Sequence, residues 1–168
     1  MEPTLLPGDF FLVRPLGNAA IARGEIVQMR YPLDPRQIWI KRVVAVGGDR
    51  VRFHDKALIL NGSPAAEPYV VHTTAYLDPF RDNFPAAPPA HLQGSWAAEL
   101  PQYVANGELV VPEGKFFVLG DNRDNSLDSR YFGFVDRSGI IGRPVLIYYS
   151  TEPGHATAVR WQRLFRRF

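Results

Sequence analysis

Residues 116–130 of the chain read FFVLGDNRDNSLDSR, and this stretch says more about the fold than any other part of the sequence. Phe116–Leu119 is a short apolar run of the kind that forms a buried strand. The polar run Gly120–Arg130 follows it directly, and such a run is costly beside a core unless its members bond to one another or to a site. Two interpretations remain open from these residues alone: an Asx-rich turn network that caps the strand, or part of a functional site.

The three aspartates of this run suggest calcium first. The EF-hand pattern fails, however, because its third position is Arg123 and its sixth is Ser126, where an acidic or amide residue and a glycine are needed. The run is therefore not a calcium loop of that type.

Short apolar runs punctuated by 15 prolines and 14 glycines extend over most of the chain. This rhythm predicts a mostly β protein. Gly47-Gly48-Asp49 and Asn61-Gly62 are clear turn signals between strands. The predicted strands are Phe10–Arg14, Ile26–Arg30, Ile38–Val46, Arg50–His54, Ala57–Leu60, Glu108–Val111, Phe116–Leu119 and Val145–Tyr149.

Three ranges differ in character. Residues 1–62 and 108–159 hold the strands and are predicted to form one β core, whereas residues 63–107 are proline-rich and predict an inserted, loop-rich subdomain. The tail 160–168 is predicted to be amphipathic, with its apolar residues on one helical face and its arginines largely on the other. A terminal turn that packs its apolar side on the domain is the alternative.

Composition excludes several classes of function. The 168 residues contain no cysteine, so thiol catalysis, disulfides and thiolate metal sites are excluded. A formal net charge of +2 gives no reason to expect nucleic-acid binding. No apolar run reaches the roughly 18–20 residues that a membrane span needs, and no signal-peptide pattern opens the chain.

Lys41 is the most informative charged residue of the predicted strand Ile38–Val46. Strand alternation puts Trp39, Lys41 and Val43 on one face, with Ala45, so the lysine has apolar neighbours. Burial disfavours the ammonium form and lowers its pKa, which makes the neutral amine a usable general base. The alternative is a lysine whose amine reaches solvent at the strand edge.

Three segments together resemble a known family. MEPTLLPGD at the start, IKRVVAVGGDRV from Ile40 and GDNRDNSLDSRYFG from Gly120 resemble, in order, the conserved boxes of bacterial type I signal peptidases. The resemblance covers roughly residues 1–60 and 108–150. It implies a signal-peptidase-like β scaffold with an inserted β subdomain, and an endopeptidase with a serine–lysine dyad that needs no metal or cofactor.

The resemblance also implies roles for individual residues. Lys41 is expected to be the general base, with Ser126 orienting its amine. Asp128 and Arg130 are expected to form a supporting ion pair, and Asp121 to lie near Arg42. Shallow apolar pockets for small side chains are expected to be lined by Met1, Leu5, Trp39 and Ile40. The histidines match no catalytic position and are expected at the surface: His54, His72, His91 and His155.

One position of the family pattern falls outside the chain. The first box of the family reads Ser-Met-x-Pro-Thr-Leu, so the gapless match of Met1–Leu5 places the nucleophilic serine immediately before Met1. The chain as it stands is therefore expected to be inactive, with the α-amino group of Met1 near Lys41. Three explanations stay open: a start codon assigned too late or a fragment, a deliberately shortened chain, and a degenerate homologue.

The expected partners are secretory preproteins with Ala-x-Ala-type signal peptides and a membrane lipid surface. The resemblance implies a catalytic domain on the periplasmic side of the bacterial cytoplasmic membrane, with an anchor helix before Met1. A self-cleaving SOS repressor is less fitting, because the sequence has no DNA-binding domain or internal cleavage site. A non-catalytic signal-peptide-binding or membrane-binding homologue and a plain β domain without a site remain as alternatives.

Overall fold

Two antiparallel sheets form the fold in the computed structural model, which describes residues 1–86 and 92–168. The strands are β1 Asp9–Pro15, β2 Ile26–Tyr31, β3 Asp34–Val46, β4 Arg50–His54, β5 Ala57–Leu60, β6 Ser63–Pro64, β7 Val104–Ala105, β8 Glu108–Val110, β9 Lys115–Leu119, β10 Val135–Asp136, β11 Ile140–Glu152 and β12 His155–Val159. Helices are short: α1 Trp96–Glu99, α2 Ser129–Phe132, and the 3₁₀ turns Arg81–Asn83, Leu100–Tyr103, Arg137–Gly139 and Trp161–Arg163.

The first sheet carries the segments that the sequence singled out. Its order is β1-β11-β2-β3-β9-β10, with β12 paired to β11. β3 and β9 are antiparallel neighbours, with Arg42 opposite Leu119. Leu119 ends β9, so the polar run that follows it begins level with Lys41 and Arg42. This register brings the two most informative segments of the sequence together.

The second sheet, in the order β6-β5-β4-β8-β7, is inserted between β3 and β9. The chain leaves and returns through two adjacent connections, since the Gly48 N–H donates to Val111 O at 2.9 Å and the Val111 N–H donates to Asp49 O at 2.8 Å. The second sheet takes β4, β5 and β8 from the ranges predicted as core, and β6 and β7 from 63–107. The division at these boundaries stays a prediction.

Each predicted strand is present, and the mostly β prediction is confirmed. β3 and β11 extend further than expected, to 13 residues each. Asn61 and Gly62 both have positive φ angles, 53° and 82°, and turn the chain between β5 and β6 as their sequence indicates. The short helices α1 and α2 and the 3₁₀ turns carry no sustained hydrophobic periodicity, which is why the sequence did not reveal them.

The alternation predicted along β3 is wrong at its end. A register shift lies between Val43 and Ala45, where β3 pairs with β9. Val43 therefore packs in the core of the first sheet, whereas Val44 and Ala45 both join the cluster that contains Phe53. A bulge of this kind lets side chains of one strand pack into two different hydrophobic cores.

The tail is not a helix beyond the 3₁₀ turn Trp161–Arg163. It then runs back along β11: the Ile147 N–H donates to Arg166 O at 3.0 Å, and the Phe165 N–H donates to Ile147 O at 2.8 Å. Pairing with an available strand satisfies more backbone groups than a short free helix would. Trp161 remains exposed, at 73%.

No helix among residues 1–86 and 92–168 is both long and apolar enough to cross a membrane. The predicted surface position holds for His54, His72 and His155, all of which are exposed. His91 and residues 87–89 of the proline-rich stretch lie outside the described residues.

Candidate active site

Lys41 and Ser126 lie in contact at the centre of the site, 85 residues apart in sequence. The Lys41 Nζ donates to Ser126 Oγ at 3.1 Å. Burial lowers the pKa of the Lys41 amine, and although the Asp128 carboxylate acts in the opposite direction, Arg130 adds to the lowering. The geometry therefore presents a largely desolvated amine beside a hydroxyl, which is the arrangement that a lysine base requires.

Gly120 makes room for this contact. A Cβ at this position would overlap Ser126 Oγ and would lie 2.8 Å from Ser126 Cβ and 3.6 Å from Lys41 Nζ. Any side chain here would push the serine away from the amine. Glycine is therefore required at position 120 for steric reasons, which the sequence did not reveal.

Asp128 and Arg130 form an ion pair with no solvent exposure of either side chain. The guanidinium donates to both carboxylate oxygens at 2.8 Å. Burial alone would raise the pKa of Asp128, but Arg130 holds it below its ordinary value. The Gly120 N–H also donates to Asp128 Oδ2 at 3.3 Å, so the pair fixes the backbone at Gly120, which lies against the Ser126 side chain.

Asp121 and Arg42 form a second buried pair. Arg42 donates to Asp121 through Nε at 2.8 Å and Nη2 at 2.7 Å. Sequence reasoning missed two further members, Thr4 and Tyr69. The Thr4 hydroxyl donates to Asp121 Oδ2, and the Arg42 guanidinium lies 3.7 Å from the centre of the Tyr69 ring.

An open groove of about 350 Å³ is lined by sequence neighbours of the site, among them Ile40 before Lys41 and Asn125 before Ser126. Three of the four residues expected in substrate pockets line it, while Trp39 instead stacks on Tyr31 with ring centres 3.9 Å apart. The Trp39 ring centre lies 5.5 Å from Lys41 Nζ. The lining residues are Met1, Glu2, Leu5, Pro7, Phe11, Ile40, Asn122 and Asn125.

The α-amino group of Met1 lies at this groove. Burial lowers its pKa, and the nearby Lys41 charge lowers it further. This agrees with the expectation that the amine lies near Lys41.

Residues 67–74, which we call the strap, contact the polar run Gly120–Arg130 and hold it in place. Arg123 is almost fully buried and pairs with Glu67 through contacts of 2.8 and 2.6 Å. Val71 adds two backbone hydrogen bonds, donating to Asp121 O at 3.0 Å and accepting from the Arg123 N–H at 3.1 Å. Nothing in the sequence indicated this role, because residues 63–107 read as a variable, loop-rich insert.

Asp124 extends the same support. Its buried carboxylate accepts from Lys56 Nζ at 3.0 Å and from the N–H groups of Thr73 and Thr74 at 2.8 and 2.9 Å. Burial would raise the pKa of Asp124, but these donors hold it well below its ordinary range. Within the described parts of the chain, no group of three or more histidine, aspartate or glutamate residues is arranged to hold a metal ion.

The tail fixes the first residues of the chain. The Arg163 side chain donates to Thr4 O at 3.0 Å and through Nε to Asp9 Oδ1 at 2.9 Å. Arg160 donates to Pro7 O at 2.7 Å. The two arginines therefore clamp the segment that forms one wall of the groove.

The sequence resembles known proteins over most of its length. Residues 1–149 match the family described as signal peptidase, peptidase S26. Signal peptidase I of Aquifex aeolicus is 35% identical, in an alignment covering 89% of this chain and 72% of that protein. Signal peptidase I of Pseudomonas fluorescens is 33% identical, over 89% of this chain and 62% of that protein.

The fold resembles a solved relative too. The crystal structure of a signal peptidase I from Enterococcus faecalis superposes with a TM-score of 0.51 and 31% identity, covering 74% of this chain and 96% of that one. Sequence and fold thus agree, and the chain belongs to the signal peptidase family, peptidase S26.

Proposed function

We propose that this chain forms the catalytic domain of a serine endopeptidase that removes signal peptides from secretory preproteins through a serine–lysine dyad. The observation that carries the proposal is the buried Lys41 amine, whose pKa is lowered and which lies 3.1 Å from Ser126 Oγ. Ile40 and Asn125, which directly precede these two residues, line the open groove. A structural lysine would gain more from an exposed amine than from this desolvated position.

In the proposed mechanism the nucleophile is a serine immediately before Met1, where the first box of the family places it. The neutral Lys41 amine accepts the proton of that hydroxyl as its oxygen attacks the scissile carbonyl. The protonated amine then gives the proton to the leaving amine. Ser126 holds the amine in position throughout, and the Asp128–Arg130 pair keeps Ser126 in place.

The groove suits an extended peptide with small side chains. Leu5 and Ile40 contribute apolar surface to its lining, and Asn122 and Asn125 contribute amide groups. A shallow apolar site favours small residues, because larger ones cannot bury their surface there. We therefore propose cleavage after small-x-small sequences such as Ala-x-Ala.

The proposed setting is the outer face of the bacterial cytoplasmic membrane. Exposed apolar residues supporting contact with a lipid surface lie on β1, β11 and the tail: Phe10, Leu12, Tyr148, Trp161 and Phe165, each at least 48% exposed. Phe10 and Tyr148 have ring centres 6.4 Å apart, which makes part of this surface continuous.

The direct test extends the chain by one serine before Met1, behind a removable leader peptide that leaves this serine as the first residue. Matched chains carry alanine there, or serine together with Lys41→Met. We expect only the unmodified serine chain to cleave an Ala-x-Ala peptide, at a rate on the order of 100-fold or more above the others. Its kcat/KM should rise with pH through a pKa below the ordinary lysine value.

Two results would contradict the proposal. Cleavage by the Lys41→Met chain at the rate of the unmodified one would remove the lysine from the mechanism. Tight binding of the Ala-x-Ala peptide by all three chains without turnover would instead favour a non-catalytic homologue.

A further inference from the structure

A second cavity, of about 340 Å³, lies where β1, β2 and β11 meet the C-terminus. Arginine dominates its lining, and Glu25 is its acidic residue. We call it the arginine cavity; its walls are Arg14, Arg23, Gly24, Glu25, Ile26, Arg42, Arg143, Pro144, Val145, Arg167 and Phe168.

The strand register forces two of these arginines together. Arg14 on β1 lies directly opposite Arg143 on β11. Like charges directly opposite each other in an antiparallel pair destabilise the sheet. The bridge between Leu146 and Arg167 then brings a third arginine to the same stretch of β11.

The carboxylates nearby do not balance these charges. Arg23 pairs with Asp49, Arg42 with Asp121 and Arg143 with Glu25. Within residues 1–86 and 92–168, the side chains of Arg14 and Arg167 have no hydrogen-bond or ion-pair partner. Two guanidinium groups of the cavity therefore have no carboxylate within ion-pair distance.

Arg143 adds an orphaned donor. Its Nη2 bonds to Glu25 and Ala20 O, but its Nε is buried and has no partner among the described residues. A buried N–H without an acceptor costs about 1–3 kcal/mol. An anion in the cavity would relieve the Arg14–Arg143 repulsion and offset the positive charge around this donor.

We propose that the arginine cavity binds a phosphate group, either as free inorganic phosphate or in the headgroup of an anionic phospholipid. Guanidinium groups match phosphate oxygens through paired, charge-assisted hydrogen bonds. Phe168, which lines the cavity at 39% exposure, and Leu12, at 51% two residues before Arg14, give the site an apolar border suited to a lipid. Arg42 is shared with the candidate active site through its pair with Asp121, whereas Arg14 and Arg167 take no part in the proposed peptidase reaction.

The first test measures the melting temperature of the chain in sodium phosphate and in sodium chloride of equal ionic strength. The test variant is R14Q/R167Q, whose side chains lose no partner, and the control is R30Q/R52Q, which removes the same charge elsewhere. We expect phosphate to raise the melting temperature of wild type and control by a few degrees, and not that of R14Q/R167Q. In dilute chloride, R14Q/R167Q should melt higher than wild type, because the repulsion is relieved.

The second test distinguishes the source of the phosphate. Co-sedimentation is measured with vesicles of phosphatidylglycerol and phosphatidylcholine, and with vesicles of phosphatidylcholine alone. Weaker binding of R14Q/R167Q than of R30Q/R52Q to the phosphatidylglycerol vesicles assigns the site to a lipid headgroup. Phosphate stabilisation with equal vesicle binding assigns it to free phosphate, and equal responses of the two variants in both tests would overturn the proposal.

Discussion

Gly120 sets how closely Ser126 and Lys41 can approach each other. Its missing side chain is the reason that Ser126 Oγ reaches the Lys41 amine, since a Cβ there would overlap the hydroxyl. A displacement of about 1 Å at a catalytic contact can cost on the order of 100-fold in rate.

We therefore expect Gly120→Ala, in the chain extended by the nucleophilic serine, to lower kcat by roughly 10- to 100-fold. The fold should survive, because the overlap is confined to a side chain. The control is Gly139→Ala, whose Cβ would meet Val135 Cγ1 at an ordinary 3.5 Å. Unchanged turnover by Gly120→Ala would mean that Ser126 does not need its present position.

Single residues of the site were predictable only where a motif carried them. The strand period placed Lys41 among apolar neighbours, and the conserved boxes linked it to Ser126, which it contacts. Thr4 lies within a quoted box, yet only the three-dimensional structure connects its hydroxyl to Asp121. Tyr69 belongs to no motif, because a ring over a guanidinium requires no particular sequence spacing.

At the scale of elements, the strap of residues 67–74 supports the polar run through one buried charge pair. Removing one partner of such a pair leaves the other charge uncompensated, which costs about 3–5 kcal/mol. Arg123 would be that charge, since its side chain is only 1% exposed.

We expect Glu67→Gln to lower the free energy of unfolding by about 3 kcal/mol, measured by urea denaturation. Glu152→Gln is the control, because Glu152 is 55% exposed and only 4.0 Å from Arg160, a weak surface contact. Equal stabilities of the two variants would show that the strap holds through its backbone hydrogen bonds instead.

The tail is the second supporting element, through Arg163 rather than through a helical face. We expect Arg163→Ala to loosen residues 1–9 and to lower the melting temperature by several degrees, since it breaks a buried charge pair with Asp9. Arg166→Ala, an exposed neighbour, is the control. Hydrogen exchange at the Leu6 and Asp9 amides should accelerate only in Arg163→Ala; equal protection in both variants would contradict the clamp.

Secondary-structure elements were predictable where the local sequence determines them. Strand positions followed from apolar runs and turn residues, and each was found. The helical alternative for the tail does not hold, because backbone groups of β11 form hydrogen bonds with Phe165 and Arg166 that only the assembled sheet provides. The bulge in β3 likewise arises from packing between two sheets, which no single strand encodes.

For the whole molecule, the insertion of the second sheet into the β3–β9 hairpin explains why distant residues meet. Residues 47–114 lie between β3 and β9 in sequence and form no strand of the first sheet. The two ends of this segment are adjacent, because Gly48 and Asp49 form backbone hydrogen bonds with Val111. The polar run Gly120–Arg130 therefore contacts both Lys41 and the strap, which belongs to residues 47–114. The order of the two sheets was not predictable from strand patterns alone, because every strand of either sheet has the same local signature.

The ion pairs that tie these parts together make the whole fold sensitive to acid. Five aspartates in these pairs have a pKa lowered from the ordinary value of 3.8, because hydrogen bonds and arginine or lysine neighbours outweigh the effect of burial. They are Asp9, Asp49, Asp82, Asp124 and Asp128. A lowered pKa in the folded state means that the unfolded chain binds more protons below about pH 5. The stabilisation is therefore fully present above the ordinary aspartate pKa and is lost as pH falls through the lowered values.

We expect the free energy of unfolding, measured by urea titration, to be nearly constant from pH 7 to 5 and to fall steeply below pH 4. Asp49→Asn should reduce that slope, since it removes one of the protonations that favour unfolding. Asp136→Asn is the matched control, because the Asp136 side chain is 61% exposed and its pair with Lys115 lies in solvent. If the slope is as steep in Asp49→Asn as in Asp136→Asn, acid destabilises the molecule through groups other than its buried aspartates.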